Sequence, residues 1–203
     1  NDKSIIYIWD CFHIENVYFN KSKTAKELIA WAKRIITAEN IPMNHFVYDS
    51  GGLGFAFSGY FDGAMKFLSQ AKQTDITDYE GNNIKIYANF KSQCVGAFLR
   101  YFKGSNGDDN CEVSIDPRLL DIDIYGQTLR QHLLNEKQAI CWTKSKEGIL
   151  QTISKQETIA VVGHSADIML ALVYRFAFNV DEQTQYEQAT DDTFNVLQNF
   201  LVI

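Results

Sequence analysis

An α/β domain with a mixed central sheet, an antiparallel hairpin followed by parallel strands and flanked by helices, is the fold class this sequence predicts. Three observations predict it. Two β-rich stretches stand close enough to pair, buried strands then alternate with helical patterns, and a glycine-rich turn abruptly ends one of those strands. The 203 residues are 46% hydrophobic, enough to bury a full core, so one domain over 1–180 is expected, with a short segment, 181–203, beyond it.

In chain order, Ser4-Ile5-Ile6-Tyr7-Ile8-Trp9 and His13-Ile14-Glu15-Asn16-Val17-Tyr18-Phe19 read as the hairpin. Thr24-Ala25-Lys26-Glu27 has the spacing of a capping box, and the helix after it places Leu28, Ile29, Ala32, Ile35 and Ile36 inward before ending near Asn40 and Pro42. His45 to Tyr48 reads as a short buried strand that stops at Asp49-Ser50-Gly51-Gly52-Leu53-Gly54. A helix is expected next, with Tyr60, Phe61, Ala64, Met65 and Leu68 on one face. A polar loop over Thr74 to Asn83 leads to a second short strand, Ile84-Lys85-Ile86-Tyr87. Asn89-Phe90-Lys91 then turns into a helix with Cys94, Val95, Phe98, Leu99 and Phe102 inward. Strand, loop and helix repeated in this way imply right-handed parallel crossovers.

Gly104 to Asn110 reads as a flexible loop. A strand over Cys111 to Ile115, a helix around Tyr125 to Leu134 and a strand pair across Ala139 to Trp142 and Gly148 to Gln151 are expected after it. A helix headed by Asp167 closes the domain. Asp181 to Asp192 reads as an acidic linker and Phe194 to Ile203 as an apolar tail.

Composition narrows the function. A net charge of -6 argues against a broadly basic nucleic-acid coat, yet leaves room for an acidic site neutralised by metal beside a local lysine face. The four cysteines form no CxxC pair and read as buried thiols, which suits a reducing, cytoplasmic setting. No apolar run is long enough to span a bilayer, and the first residues lack a secretory core. Asn1 in place of an initiator methionine suggests a piece of something longer. Gly-x-x-x-x-Gly-Lys-Ser/Thr is absent, so no phosphate-loop ATPase site is read, and without a Gly-x-Ser-x-Gly elbow serine nucleophile chemistry is a poor alternative.

Two carboxylates stand out. Asp49 lies where a buried strand gives way to glycines, the place where open α/β sheets put ligands, although a plain helix cap would occupy the same position. Asp167, in Gly163-His164-Ser165-Ala166-Asp167, heads the apolar run Ile168 to Val173. A charge there is costly unless a partner needs it, or unless it simply complements the helix dipole. His164 sits nearly a helical turn before it and could orient a water or carboxylate, or only lie near the cap. Separated carboxylates on neighbouring element ends form the core of a two-metal hydrolase site, and hard oxygen donors suit Mg²⁺ or Mn²⁺.

The order of these pieces resembles the C-terminal nuclease domain of tailed-phage large terminase subunits: hairpin, helix, strand ending in Asp49-Ser-Gly-Gly-Leu-Gly, strand ending in Tyr87-Ala88-Asn89-Phe90-Lys91, and the final Gly163-His-Ser-Ala-Asp167 helix. The likeness spans roughly Asp2 to Phe178 and implies an RNase H-like fold. It implies a metal-dependent endonuclease that cuts concatemeric viral DNA during genome packaging, in the bacterial host cytoplasm. By resemblance Asp49 matches the second of three acids and Asp167 the third, with Mg²⁺ or Mn²⁺ as cofactor. The first acid would stand on a strand just upstream of this chain, with Asp10 the alternative within it. Lys91 matches an Asn-x-Lys that would meet DNA phosphate, Lys144 and Lys146 near the later hairpin turn could track the DNA backbone, and Asn89 and His164 could support the ligands. Lys155 is a weaker candidate, on proximity alone. Double-stranded DNA, the terminase ATPase domain, the small terminase subunit and the portal are the implied partners. An RNase H-like docking module that does not cut is an alternative, with Tyr60, Tyr101, Phe102 and the tail as contact surface. Another RNase H-like nuclease, such as a resolvase or transposase, is a further one.

Overall fold

The computed structural model describes residues 4–22, 24–78, 80–103, 113–144 and 148–180. The loop expected over Gly104 to Asn110, Lys146, and the expected linker and tail after residue 180 lie outside them.

The hairpin forms as the alternation dictates. β1 (Ser4–Asp10) pairs antiparallel with β2 (His13–Asn20), with a register shift at Ile8/Trp9, and Ile8, Ile14 and Val17 turn into the core. β2 also pairs in parallel with β7 (Ser114–Ile115), so the three-stranded sheet is mixed. Helix α1 (Ala25–Ala38) buries all five expected positions. Thr24 caps it by accepting the Glu27 N–H, while the Glu27 carboxylate takes the Thr24 hydroxyl rather than the backbone donor of a full capping box. The chain leaves α1 through Asn40 at φ 53°.

β3 (Val47–Asp49) runs parallel to β4 (Met65–Phe67), Asp49 opposite Phe67. β4 occupies part of the stretch where the residue pattern predicts a helix. Only a 3₁₀ turn, Gly52–Phe57, forms, because Gly59 at φ 90° and Gly63 at φ 84° interrupt any helical run; Phe61 is buried, but Tyr60 and Leu68 lie exposed. The second short strand is also reduced. β5 (Ile76–Thr77) and β6 (Asn83–Ile84) make a small antiparallel hairpin within the expected polar loop, and Tyr87 contributes only an isolated parallel bridge to Leu150. The Gln73 carboxamide accepts the N–H groups of Ile86 and Tyr87 at 3.1 and 2.8 Å, taking donors that a longer strand would have given to a neighbour.

Helix α2 (Phe90–Lys103) places Cys94, Val95, Phe98 and Leu99 inward as expected, but Phe102 is 37% exposed. The helix expected from Tyr125 begins four residues later. Tyr125 and Gly126, both at positive φ, form the two-residue tip of a hairpin between β8 (Asp123–Ile124) and β9 (Gln127–Thr128), and α3 (Leu129–Glu136) starts behind a Thr128/Gln131 capping box. Ala139 and Ile140 belong to a 3₁₀ turn, so the later strand pair is β10 (Trp142–Lys144) with β11 (Leu150–Thr152). Ser154 and Glu157 form a capping box on α4 (Lys155–Val162), a helix beyond those expected, although its Ser-x-x-Glu spacing signals one. Gly163 at φ 86° ends α4, then α5 (Asp167–Tyr174) and the short α6 (Ala177–Val180) complete the described chain.

The larger core gathers Ile14, Val17, Phe67, Val95, Phe98, Leu129, Ile168, Val173 and Phe176 between the hairpin, α2, α3 and α5. A second cluster, Ile29, Ala32, Ile36, Tyr48 and Phe61, seats α1 against β3. Helix α5 packs against both β1 and β3, which share no ladder; among the described residues β1 pairs only with β2 and β3 only with β4.

Candidate active site

Asp49 is the last residue of β3 and is exposed. The turn after it is tied to the next strand, since both the Ser50 N–H and its hydroxyl donate to the Phe67 carbonyl, at 3.1 and 2.9 Å. Gly51 then folds back and its N–H donates to Asp49 Oδ1 at 2.9 Å. Gly54 approaches so closely that a Cβ there would stand 1.6 Å from the Asp49 carbonyl oxygen. The glycines therefore let the turn fold tightly back on Asp49, Gly51 toward its carboxylate and Gly54 toward its backbone carbonyl. Asp49 does not cap the 3₁₀ turn, whose leading residue is Gly51 and which has no side-chain cap.

Asp167 is the first residue of α5 and is half-buried, with Ser165 donating its hydroxyl to Asp167 Oδ1. Neither residue caps the helix. The cap comes from α3: Glu136, fully buried, accepts the N–H groups of Ile168 and Met169 through one carboxylate oxygen, both at 2.9 Å. The costly buried charge at this helix start is thus Glu136, while Asp167 stays partly open to solvent. His164 lies beside it, with Nδ1 2.7 Å from the Ser165 carbonyl and 3.8 Å from Glu136 Oε1. The Tyr7 phenol, which donates to the Ile168 carbonyl at 3.3 Å, has its pKa pushed far up by burial and then by the Glu136 charge.

Tyr174, on the helix that Asp167 heads, reaches Asp49 directly. Its hydroxyl donates to Asp49 Oδ2 at 3.3 Å, and its pKa is driven well above the usual tyrosine value by burial first, then by the charge of Asp49 and its hydrogen bond, and then by the charge of Asp167. One phenol therefore feels both carboxylates. With the Ser165 hydroxyl, this is a set of hard oxygen donors, which fits Mg²⁺ or Mn²⁺ and does not fit a soft-ligand metal site. Among the described residues no group of three His, Cys, Asp or Glu side chains stands where it could hold a metal ion.

The other candidates lie around this centre in different states. Lys91 opens α2 partly buried, its ammonium donating to the Ile153 carbonyl at 3.4 Å and its pKa lowered by burial. Asn89 is buried, and its Oδ1 accepts both the N–H and the hydroxyl of Ser92, at 2.9 and 2.8 Å, which makes it a cap of α2. Lys144 ends β10, and Lys155 opens α4 on an exposed face. Asp10 is exposed at the end of β1, beside Cys11, whose carbonyl accepts from Arg175 just past the C-terminal end of α5. Tyr7, in the middle of β1, meets the helix start, so Asp10 lies at the opposite end of α5 from Asp167. Glu136 and Tyr174 are not among the residues that the sequence singles out. Tyr174 follows Asp167 by two helical turns, a spacing that could have found it; Glu136 carries no local signal.

No protein-family profile matches the chain, and no curated protein matches it in sequence. Structures do match. A lysine-to-alanine variant of the nuclease domain of the large terminase subunit gp2 of bacterial virus Sf6, with manganese, aligns at a TM-score of 0.60 and 17% identity, covering 81% of this chain and 79% of that one. The chain has the RNase H-like fold of a large-terminase nuclease domain. The same variant with manganese and beta-thujaplicinol aligns at 0.59 and 18% identity over 81% of this chain and 77% of that chain, and with calcium at 0.60 and 17% over 81% and 78%. Among the described residues, no helix is long and apolar enough to cross a membrane.

Proposed function

We propose that this chain is a metal-dependent DNA endonuclease domain of the large-terminase kind, acting on concatemeric DNA during genome packaging. The Asp49–Tyr174 hydrogen bond, which ties the strand end bearing one candidate acid to the helix headed by the other within this fold, supports that reading most directly. A Mg²⁺ or Mn²⁺ ion bound there would supply Lewis-acid activation of water and neutralise charge on the phosphodiester. Asp49 offers its carboxylate from a turn with little freedom, Asp167 offers its own from the first turn of α5, and Ser165 fixes one oxygen of Asp167. Two ions require a third carboxylate, which this pair does not supply. Lys91, Lys144 and Lys146 would contact the DNA backbone, with His164 supporting the Asp167 segment and Asn89 capping the helix that carries Lys91. The ATPase domain, small subunit and portal of a packaging motor are the partners this role entails.

The test is nicking of supercoiled plasmid by the chain extended upstream. Cutting should require Mn²⁺ or Mg²⁺ and fall by on the order of 10²- to 10³-fold in Asp167→Asn. Metal-independent cutting, or cutting that Asp167→Asn leaves intact, removes this mechanism. A docking role without cutting is favoured by one observation: Phe55, Tyr60 and Leu68 are exposed around the β3–β4 connection, Phe55 at 79%. That role predicts an Asp167→Asn protein that still binds its motor partner and a wild type that never nicks.

A further inference from the structure

We infer that Tyr174 is a positioning residue of this centre, holding the Asp49 carboxylate in register with Asp167 so that one divalent cation can be bound between them. The inference rests on the metal-site reading and adds a residue to it. Helix geometry supplies the first reason. Tyr174 follows Asp167 by seven residues on α5, so the two lie on nearly the same face, and long helical side chains lean back toward the N-terminus, which carries the phenol toward Asp167. The second reason is how completely Asp49 is held. Gly51 donates to Oδ1 and Tyr174 to Oδ2, so each oxygen has a directed partner and the carboxylate plane is set from both sides.

The third reason is that the tyrosine itself cannot wander. Its ring lies against Phe67 with centroids 4.2 Å apart, and Phe67 is fully buried and sits opposite Asp49 in the β3–β4 ladder. The same strand pair therefore positions the carboxylate and, through Phe67, the phenol that holds it. Such a group contributes through ligand orientation, and outer partners of this kind typically change metal affinity by about 10- to 100-fold.

The experiment is Mn²⁺ binding to the full-length protein, followed by the electron paramagnetic resonance of the free ion and by calorimetry, for wild type, Tyr174→Phe and Asp167→Asn. Phenylalanine keeps the ring against Phe67, so a thermal melt of the same samples should show little change. Tyr174→Phe should raise the Mn²⁺ Kd by about 10-fold or more with the melting transition retained, and Asp167→Asn should lose measurable binding. Unchanged Mn²⁺ affinity in Tyr174→Phe, with binding lost in Asp167→Asn, overturns the role of Tyr174 and leaves the metal site standing. Wild type that binds no Mn²⁺ overturns both. A weakened affinity accompanied by loss of the melting transition also overturns the inference, since Tyr174 would then serve the fold alone.

Discussion

Asp49 is held mainly by its own turn, whereas the helix start that carries Asp167 is held by a residue of another helix. Around Asp49 every restraint except the Tyr174 bond comes from that turn or the adjoining strand: the Gly51 N–H, the close approach of Gly54, and the Ser50 tie to Phe67. Asp167 itself takes a local bond from Ser165, but the first N–H groups of α5 are fixed by Glu136, 32 residues before Ile168. The difference teaches that the Asp49 carboxylate depends on a local turn, whereas the helix start that carries Asp167 depends on a buried residue from elsewhere in the core.

Glu136→Ala should break the second arrangement most severely. It leaves two N–H groups at a buried helix start without their acceptor and opens a cavity, so a loss of about 3 kcal/mol in urea unfolding is expected, with Mn²⁺ binding falling as well. A loss under about 1 kcal/mol would mean that α5 does not depend on this cap. Gly54→Ala is the counterpart at Asp49. The added Cβ would collide with backbone, so the turn must move; stability should fall by about 2 kcal/mol while Mn²⁺ affinity drops at least as steeply as in Tyr174→Phe. Gel-filtration and circular dichroism of Gly54→Ala should look native, which they would not for a core defect.

Lys91→Met sharpens the contrast from the side of unneeded charge. Partial burial disfavours the lysine's charged form, as its lowered pKa shows, so the variant should be slightly more stable, by no more than about 1 kcal/mol near neutral pH. That gain should shrink as pH rises through the lowered folded-state pKa toward the ordinary value of about 10.4, because the wild-type amine is then neutral in both states. If Lys91 meets phosphate, the same variant binds DNA more weakly. A more stable protein with poorer DNA binding would separate a functional charge from a structural one.

Much of the frame is legible in the residues. The hairpin announces itself by β-rich alternation, α1 by its cap and its inward positions, and the two candidate aspartates by standing where glycine or an apolar run begins. Other parts mislead for physical reasons. Tyr60, Phe61, Ala64, Met65 and Leu68 have helical spacing, but glycines at positive φ between them cancel the helix and release Met65 to Phe67 to pair with β3. The Ile84 to Tyr87 strand is stripped of donors by Gln73, a side chain that no periodicity reveals.

By itself the sequence determined the α/β class and the order of its main elements and singled out two candidate carboxylates, because periodicity, caps and glycine turns act over a few neighbouring residues. Tertiary structure alone decided that Asp49 bonds to Tyr174 on the helix that Asp167 heads, that Glu136 caps α5, and that Asp10 lies at the far end of that helix. Those outcomes depend on which elements pack together, and burial of a charge beside a distant helix start is a property of the packed core, not of any stretch of chain.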